Sequence, residues 1–304
     1  MDFVEKRRWF FMFSITLIIA GIVSISIPPS FKIGIEFTSG SAISIAYETV
    51  VEQPDVRNIL TENGYHDAII QKTSGNGFFI RTRTLDSNDI TSSERKNLED
   101  KLSSLGNLNA FDVSTVSPIV AQETVRNAGI AVFVASIAIL IYITWAFRLV
   151  PNPLRMGTVA IIAAIHDVLL VLGFFSLAGR FINLEINAMF ITGILTVVGY
   201  SVHDTIVVFD RIRENFIKNP SRSLEIIVNT SISETLGRSL TTSFTTVIVI
   251  AAMLLMGGQT IQSLLYTLLI GIIAGTYSSL WIASQMLVVW ENKEWLRLFK
   301  SSKI

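Results

Sequence analysis

The chain has 304 residues and a formal net charge of zero; half of it is apolar and only 16% is charged, well below the quarter typical of soluble proteins. Water is therefore not its main solvent, and no overall charge bias favours nucleic acid. There is no cysteine, which removes disulfides, thiolate metal sites and cysteine nucleophiles together, and the only histidines are His66, His166 and His203.

The first uncharged run, Trp9 to Ile27, follows Lys6, Arg7 and Arg8. It is longer than the apolar core of a signal peptide and ends in Ile27-Pro28-Pro29 without a small-residue cleavage site. Residues 1–28 are thus expected to form a short N-terminal segment and an uncleaved first transmembrane helix.

The polar segment 29–125 reads as a small α+β domain. Ile43, Ile45 and Tyr47 alternate as in a half-buried strand, and Pro54 and Gly64 bracket a helix containing Val56, Ile59 and Leu60. Ser74-Gly75-Asn76-Gly77 predicts a hairpin turn between two strands. Thr91 and Glu94 make a capping box ahead of a second helix carrying Leu98, Leu102 and Leu105, and a last strand is expected over 108–116. The order β-α-β-β-α-β fits a ferredoxin-like fold.

Five more apolar runs follow within residues 126–290. They lie between Arg126 and Arg148, between Arg155 and Arg180, from Ile186 to about Phe209, from Arg238 to Gly258, and from Ile261 to Trp290. Between the fourth and fifth spans, 210–238 is expected to be a cytoplasmic loop. Leu224, Ile227 and Val228 suggest that part of it lies as an amphipathic helix on the membrane surface. Residues 291–304 form a polar tail. Lysine and arginine concentrate in the segments that would share a side with the N-terminus, whereas the opposite short loops hold only Arg180. Both termini are therefore expected in the cytoplasm, with 29–125 exported. The expected fold class is a multi-pass α-helical membrane protein of six transmembrane helices, with a small α+β ferredoxin-like extracytoplasmic domain between helices 1 and 2.

Ionisable residues within spans are costly and mark candidate sites. His166-Asp167 in the third span and His203-Asp204 in the fourth are such pairs. Asp204 precedes the polar run at Asp210 by six residues, or roughly 9 Å of helix, and Arg238 enters the fifth span from the same side. An Asp204–Arg238 contact that breaks on protonation would be a switch, and a permanent one would be a structural ion pair. Arg238 could also reach lipid headgroups, and His166 and Asp167 could be hydrogen-bonded bundle residues. Neither histidine–aspartate pair has the i, i+4 spacing of two ligands on one helix face, which argues against a metal site. His66 is expected at the surface of the exported domain. Gly193, Gly199 and Ser201, with Gly271, Ala274 and Gly275, should let helices approach closely. No Ser/His/Asp motif, phosphate loop or zinc motif suggests an enzyme.

The run Val198-Gly199-Tyr200-Ser201-Val202-His203-Asp204-Thr205-Ile206-Val207-Val208-Phe209-Asp210-Arg211-Ile212-Arg213-Glu214-Asn215 resembles the fourth-span signature of the bacterial SecF family. Gly34 to Ser41, His166-Asp167-Val168 and Thr235 to Ser243 agree with it. The resemblance implies a subunit that pairs with SecD, associates with the SecYEG channel and YajC in the bacterial inner membrane, and uses the proton-motive force to move preproteins outward. It implies protons as the coupling ion, no cofactor, no metal, membrane lipid as a further partner and no nucleic acid. It also implies that Asp204 and Arg238 serve proton passage, with His166, Asp167, His203 and Thr205 in support. The chain departs from the family pattern at His203, where asparagine is common, at Glu36 in place of aspartate, and at Ser39 and Ser41 in place of glycine and threonine. A proton-coupled efflux transporter of the resistance-nodulation-division type is the alternative, although such chains carry about twice as many spans. A purely structural assembly factor is a third reading.

Overall fold

The computed structural model describes residues 2–28, 30–73, 75–85, 93–148, 152–182, 184–256 and 261–293. It divides into two compact units, Met1–Lys32 with Ile130–Ile304, and Ile33–Gly129.

Helix α1 (Arg7–Ser26) is followed by a two-residue strand β1 (Lys32–Ile33) and a single turn α2 (Ile35–Thr38). Then come β2 (Gly40–Tyr47), α3 (Gln53–Glu62), β3 (Ile69–Lys72), β4 (Gly77–Thr82), α4 (Ser93–Ser103) and β5 (Leu108–Val116). The last four strands form one antiparallel sheet in the order β3-β4-β2-β5, so the expected β-α-β-β-α-β order is present. Ile43 lies between Ile80 and Val113, and Ile45 between Phe78 and Phe111. These alternate residues build one apolar face, which buries Val56 and Leu60 of α3 and Leu98 and Leu102 of α4. Gly64 closes α3 with a φ of +83° and Gly75 turns the hairpin at +81°, both in the region that favours glycine. Ser74 of that turn and Thr91 of the expected capping box lie outside the described residues. The Glu94 carboxylate accepts from the Tyr65 hydroxyl at 2.8 Å and from Arg83 at 2.7 Å, and His66 is exposed.

Tyr47 stacks edge-on against Phe78 and donates to the Leu102 carbonyl at 3.1 Å. Burial pushes its phenol from 10.0 up to about 12. The folded domain thus holds the Tyr47 proton after the unfolded chain has released it, so this stability is complete below pH 10 and is lost as pH rises to about 12. Tyr65 is also shifted upward, by burial first and then by Glu94. Amide exchange of the domain should accelerate across this alkaline window, and Tyr47→Phe should flatten that response. An unchanged pH profile in Tyr47→Phe would count against it.

The remaining elements are α5 (Pro118–Ala146), α6 (Pro153–Phe181), strand β6 (Glu185–Ile186), α7 (Ala188–Lys218), α8 (Leu224–Met256), α9 (Gln262–Tyr277), a π-helical turn (Ser278–Ala283) and α10 (Ser284–Glu291). The last three run on as one rod, so among the described residues six helices are long and apolar enough to cross a membrane. α6, α7 and the α9–α10 rod make the centre, burying Val159, Phe175, Phe209, Leu280 and Val288. α1 packs on α6, where Gly21 and Gly173 face each other so closely that a Cβ on Gly173 would come within 2.8 Å of the Gly21 Cα. α8 packs on α7 and α9. Many apolar side chains on α1, α5 and α8 point outward, among them Trp9, Phe133 and Phe244, as lipid contact requires. The exposed α8 hydroxyls of Thr241, Thr242 and Thr245 bond to carbonyls one turn back, which spares them an unpaired group in hydrocarbon.

Two expectations need correction. The 210–238 segment is not a loop: α7 continues to Lys218 and α8 begins at Leu224. Ile227 and Val228 are buried in the bundle core, so these apolar side chains pack on protein neighbours. Intrahelical hydrogen bonds continue past the end of an apolar run wherever no residue interrupts them. An ion cluster supports the extension, with Arg211 donating to Glu234 at 2.6 Å and Asn215 to Glu234 at 2.8 Å. Similarly, α5 starts at Pro118 rather than after Arg126. The fifth span was expected to reach Gly258, which lies outside the described residues.

Candidate functional site

On α7 the residues from Ser201 to Thr205 separate by side. Each step turns a helix by roughly 100°, so Asp204 and Thr205 point into the bundle while His203 faces outward and is exposed. Asp204 is buried, and its Oδ1 accepts from Ser239 Oγ of α8 at 2.8 Å. Its Oδ2 is buried and has no hydrogen-bond partner among the described residues. A buried carboxylate oxygen without a partner is rare and costly.

Arg238 stands one residue before Ser239, on an exposed part of α8. It forms no ion pair with Asp204 among the described residues. The expected direct contact is replaced by Ser239 because the same helical step that turns Ser239 inward turns Arg238 away. A static structural ion pair is therefore not the arrangement seen here. Thr205 is fully buried and bonds Ser279 of the π-helical turn at 2.8 Å.

His166 and Asp167 are brought together with Ser201, which the sequence marked only as a small packing residue, and with Ser14 and Ser278, which it did not single out. His166 Nε2 bonds Ser14 Oγ of α1 at 3.0 Å, and its Nδ1 bonds Asp167 Oδ1 at 2.9 Å. Asp167 Oδ2 accepts from Ser201 at 2.5 Å and from Ser278 at 2.8 Å. One residue pair on α6 thus ties α1, α7 and the π-helical turn. The order Ser14–His166–Asp167 is the Ser/His/Asp arrangement that the sequence did not reveal. All three are buried inside helices whose N–H groups are already bonded, so no oxyanion pocket accompanies them. Among the described residues no group of three acidic or histidine side chains is arranged to hold a metal ion.

The helix contacts around the site are close. A Cβ on Gly193 would meet Thr267 at 2.7 Å, one on Gly275 would meet Ser201 at 3.0 Å, and one on Gly271 would overlap both Val197 methyls. These match the expectation of small residues at helix crossings. Gly199 does not, because nothing lies within 4 Å of its Cβ position. The serines Ser14, Ser239, Ser278 and Ser279 were missed for want of a pattern, since a hydroxyl in an apolar helix has the same sequence signature whether it bonds its own backbone or a neighbouring carboxylate.

Residues 97–293 match the family described as Protein export membrane protein SecD/SecF, C-terminal. The chain belongs to the SecD/SecF family. It is 41% identical to a protein translocase subunit SecF of Thermobaculum terrenum, over all of this chain and 98% of that one. With the protein translocase subunit SecDF of Bacillus subtilis the identity is 34%, over 96% of this chain and 38% of the longer relative. The crystal structure of SecDF, a translocon-associated membrane protein from Thermus thermophilus, superposes with a TM-score of 0.82 at 33% identity and covers 96% of this chain. The chain spans 39% of that SecDF polypeptide. The fold is that of a multi-pass membrane protein with a small sheet domain.

Proposed function

We propose that this chain is the SecF-type half of a protein-export complex and that it uses the proton gradient to complete the outward passage of preproteins. The observation that carries this reading is Asp204, a buried carboxylate on a membrane-spanning helix with one serine bond and, among the described residues, one unpartnered oxygen. Such a group can bind and release a proton and bias two helix arrangements. The structure contains the Ser239-bonded arrangement, and an Arg238-paired one would be its counterpart.

SecD is the expected partner, since SecF-like and SecD-like parts occur in single SecDF chains among the relatives. Association with SecYEG and YajC, cytoplasmic termini and export of the Ile33–Gly129 domain belong to the same proposal. The test is preprotein passage in proteoliposomes containing the channel and a SecD partner, with and without this chain. The chain should speed completion while a proton gradient is maintained, and a protonophore should remove that gain. A gain that survives the protonophore would refute proton coupling. Gradient-driven loss of a small dye without any effect on protein passage would favour the efflux alternative.

A further inference from the structure

Two buried aspartates stand in the bundle with opposite surroundings. Among the described residues Asp204 has a single hydroxyl donor and one unpartnered oxygen, whereas Asp167, with no exposed surface, is bonded by His166, Ser201 and Ser278. The Asp167 bonds converge on the frame of the Asp204 site. Ser201 lies one helical turn before Thr205 on α7, and Ser278 opens the π-helical turn whose next residue, Ser279, bonds the Thr205 hydroxyl at 2.8 Å and the Ser201 carbonyl at 3.2 Å. A π turn is a strained insertion into an α-helix and is often found at functional sites. Here both of its leading hydroxyls are engaged by α6 and α7.

We propose that Asp167 is a positioning residue for the Asp204 site: by clamping Ser201 and Ser278 on one carboxylate oxygen, it fixes the register between α7 and the π-helical turn, and with it the placement of Asp204 and Thr205. His166 orients the clamp, since its two ring nitrogens hold Asp167 on one side and Ser14 of α1 on the other. The inference rests on Asp204 being the proton-binding group, and its direct readout is independent of that assignment.

The chain contains no cysteine, so an introduced pair is a clean reporter. Thr205→Cys with Ser279→Cys, in membranes that also contain the SecD partner, should form an oxidant-driven disulfide across the α7–π-turn contact. Ser41→Cys with Thr115→Cys, whose hydroxyls are 2.7 Å apart in the exported sheet, is the control. Asp167→Ala should lower the first yield by about tenfold, the effect of removing a buried hydrogen-bonding group, and leave the control unchanged. Asp167→Asn should restore it, because the amide oxygen still accepts from both serines while the amide nitrogen donates to His166. Gradient-dependent export, measured without the reporter cysteines, should follow the same order.

Parent-level crosslinking in Asp167→Ala would overturn the clamp. Should that variant not accumulate, Ser201→Ala and Ser278→Ala decide, and parent-level yield in both overturns it. A crosslink that depends on Asp167 alongside normal export in Asp204→Asn would leave the clamp standing and sink the Asp204 reading instead.

Discussion

Asp204→Asn is expected to remove the gradient-dependent part of export, by at least about tenfold at matched amounts in the membrane, equivalent to 1.4 kcal/mol or more. The substitution is nearly isosteric, and an amide oxygen still accepts the Ser239 hydroxyl, so the bundle should assemble unchanged. What it removes is the ability to gain and lose a proton at this depth. Ser239→Ala makes the complementary change. It leaves a titratable carboxylate but takes away the one hydrogen bond it accepts among the described residues, at a cost of about 1–3 kcal/mol to the present arrangement. Export in Ser239→Ala should therefore fall without vanishing, and Ser239→Thr should recover it. The comparison is made on preprotein completion with and without a protonophore. Wild-type export in Asp204→Asn would make Asp204 a packing residue and end the proposed coupling.

Gly271→Leu is expected to prevent the bundle from closing. Along the α7–α9 contact, Gly193, Val197 and Ser201 face Thr267, Gly271 and Gly275 at intervals of one turn, so the backbones approach where side chains are absent. Val197 is fully buried and has nowhere to move. Forcing a leucine into such a contact costs about 3 kcal/mol or more, and Gly271→Ala should already cost about 1–3 kcal/mol because its Cβ meets the Val197 methyls. Gly199→Ala is the contrast: nothing lies within 4 Å, and alanine favours a helix over glycine by about 1 kcal/mol. Thermal midpoints of the detergent-solubilised chain should therefore fall in the order Gly199→Ala, Gly271→Ala, Gly271→Leu. Equal midpoints for Gly199→Ala and Gly271→Leu would show that the helix approach is not limiting.

These two sites differ in how much of them could be read in advance. The glycines on α7 and α9 were legible as small residues in apolar helices, but not which of them lie at the crossing. Gly193 and Gly199 look alike in sequence, and only Gly193 meets a neighbour. The carboxylate of Asp204 was likewise legible as an ionisable group in a span, whereas its partner was not. Arg238 is the obvious countercharge by residue type, yet Ser239 makes the bond.

By itself the sequence determined what depends on short-range pattern. The lengths of the uncharged runs determined six spans, because hydrocarbon thickness sets a minimum for a helix that must satisfy its own backbone. Period-two alternation and turn residues determined the order of strands β2 to β5, since a strand shows successive side chains to opposite faces. Tertiary structure decided what depends on rotation and on distant neighbours. Helices α7 and α8 extend through Lys218 and from Leu224 because packing and an ion cluster hold turns that hydropathy alone would end. The junction of Ser14, His166, Asp167, Ser201 and Ser278 unites residues as much as 264 positions apart, Ser14 and Ser278 being its extremes. A helix turns by roughly 100° per residue, so one position separates a side chain that bonds a buried carboxylate from one that faces outward, and only the packed bundle selects between them.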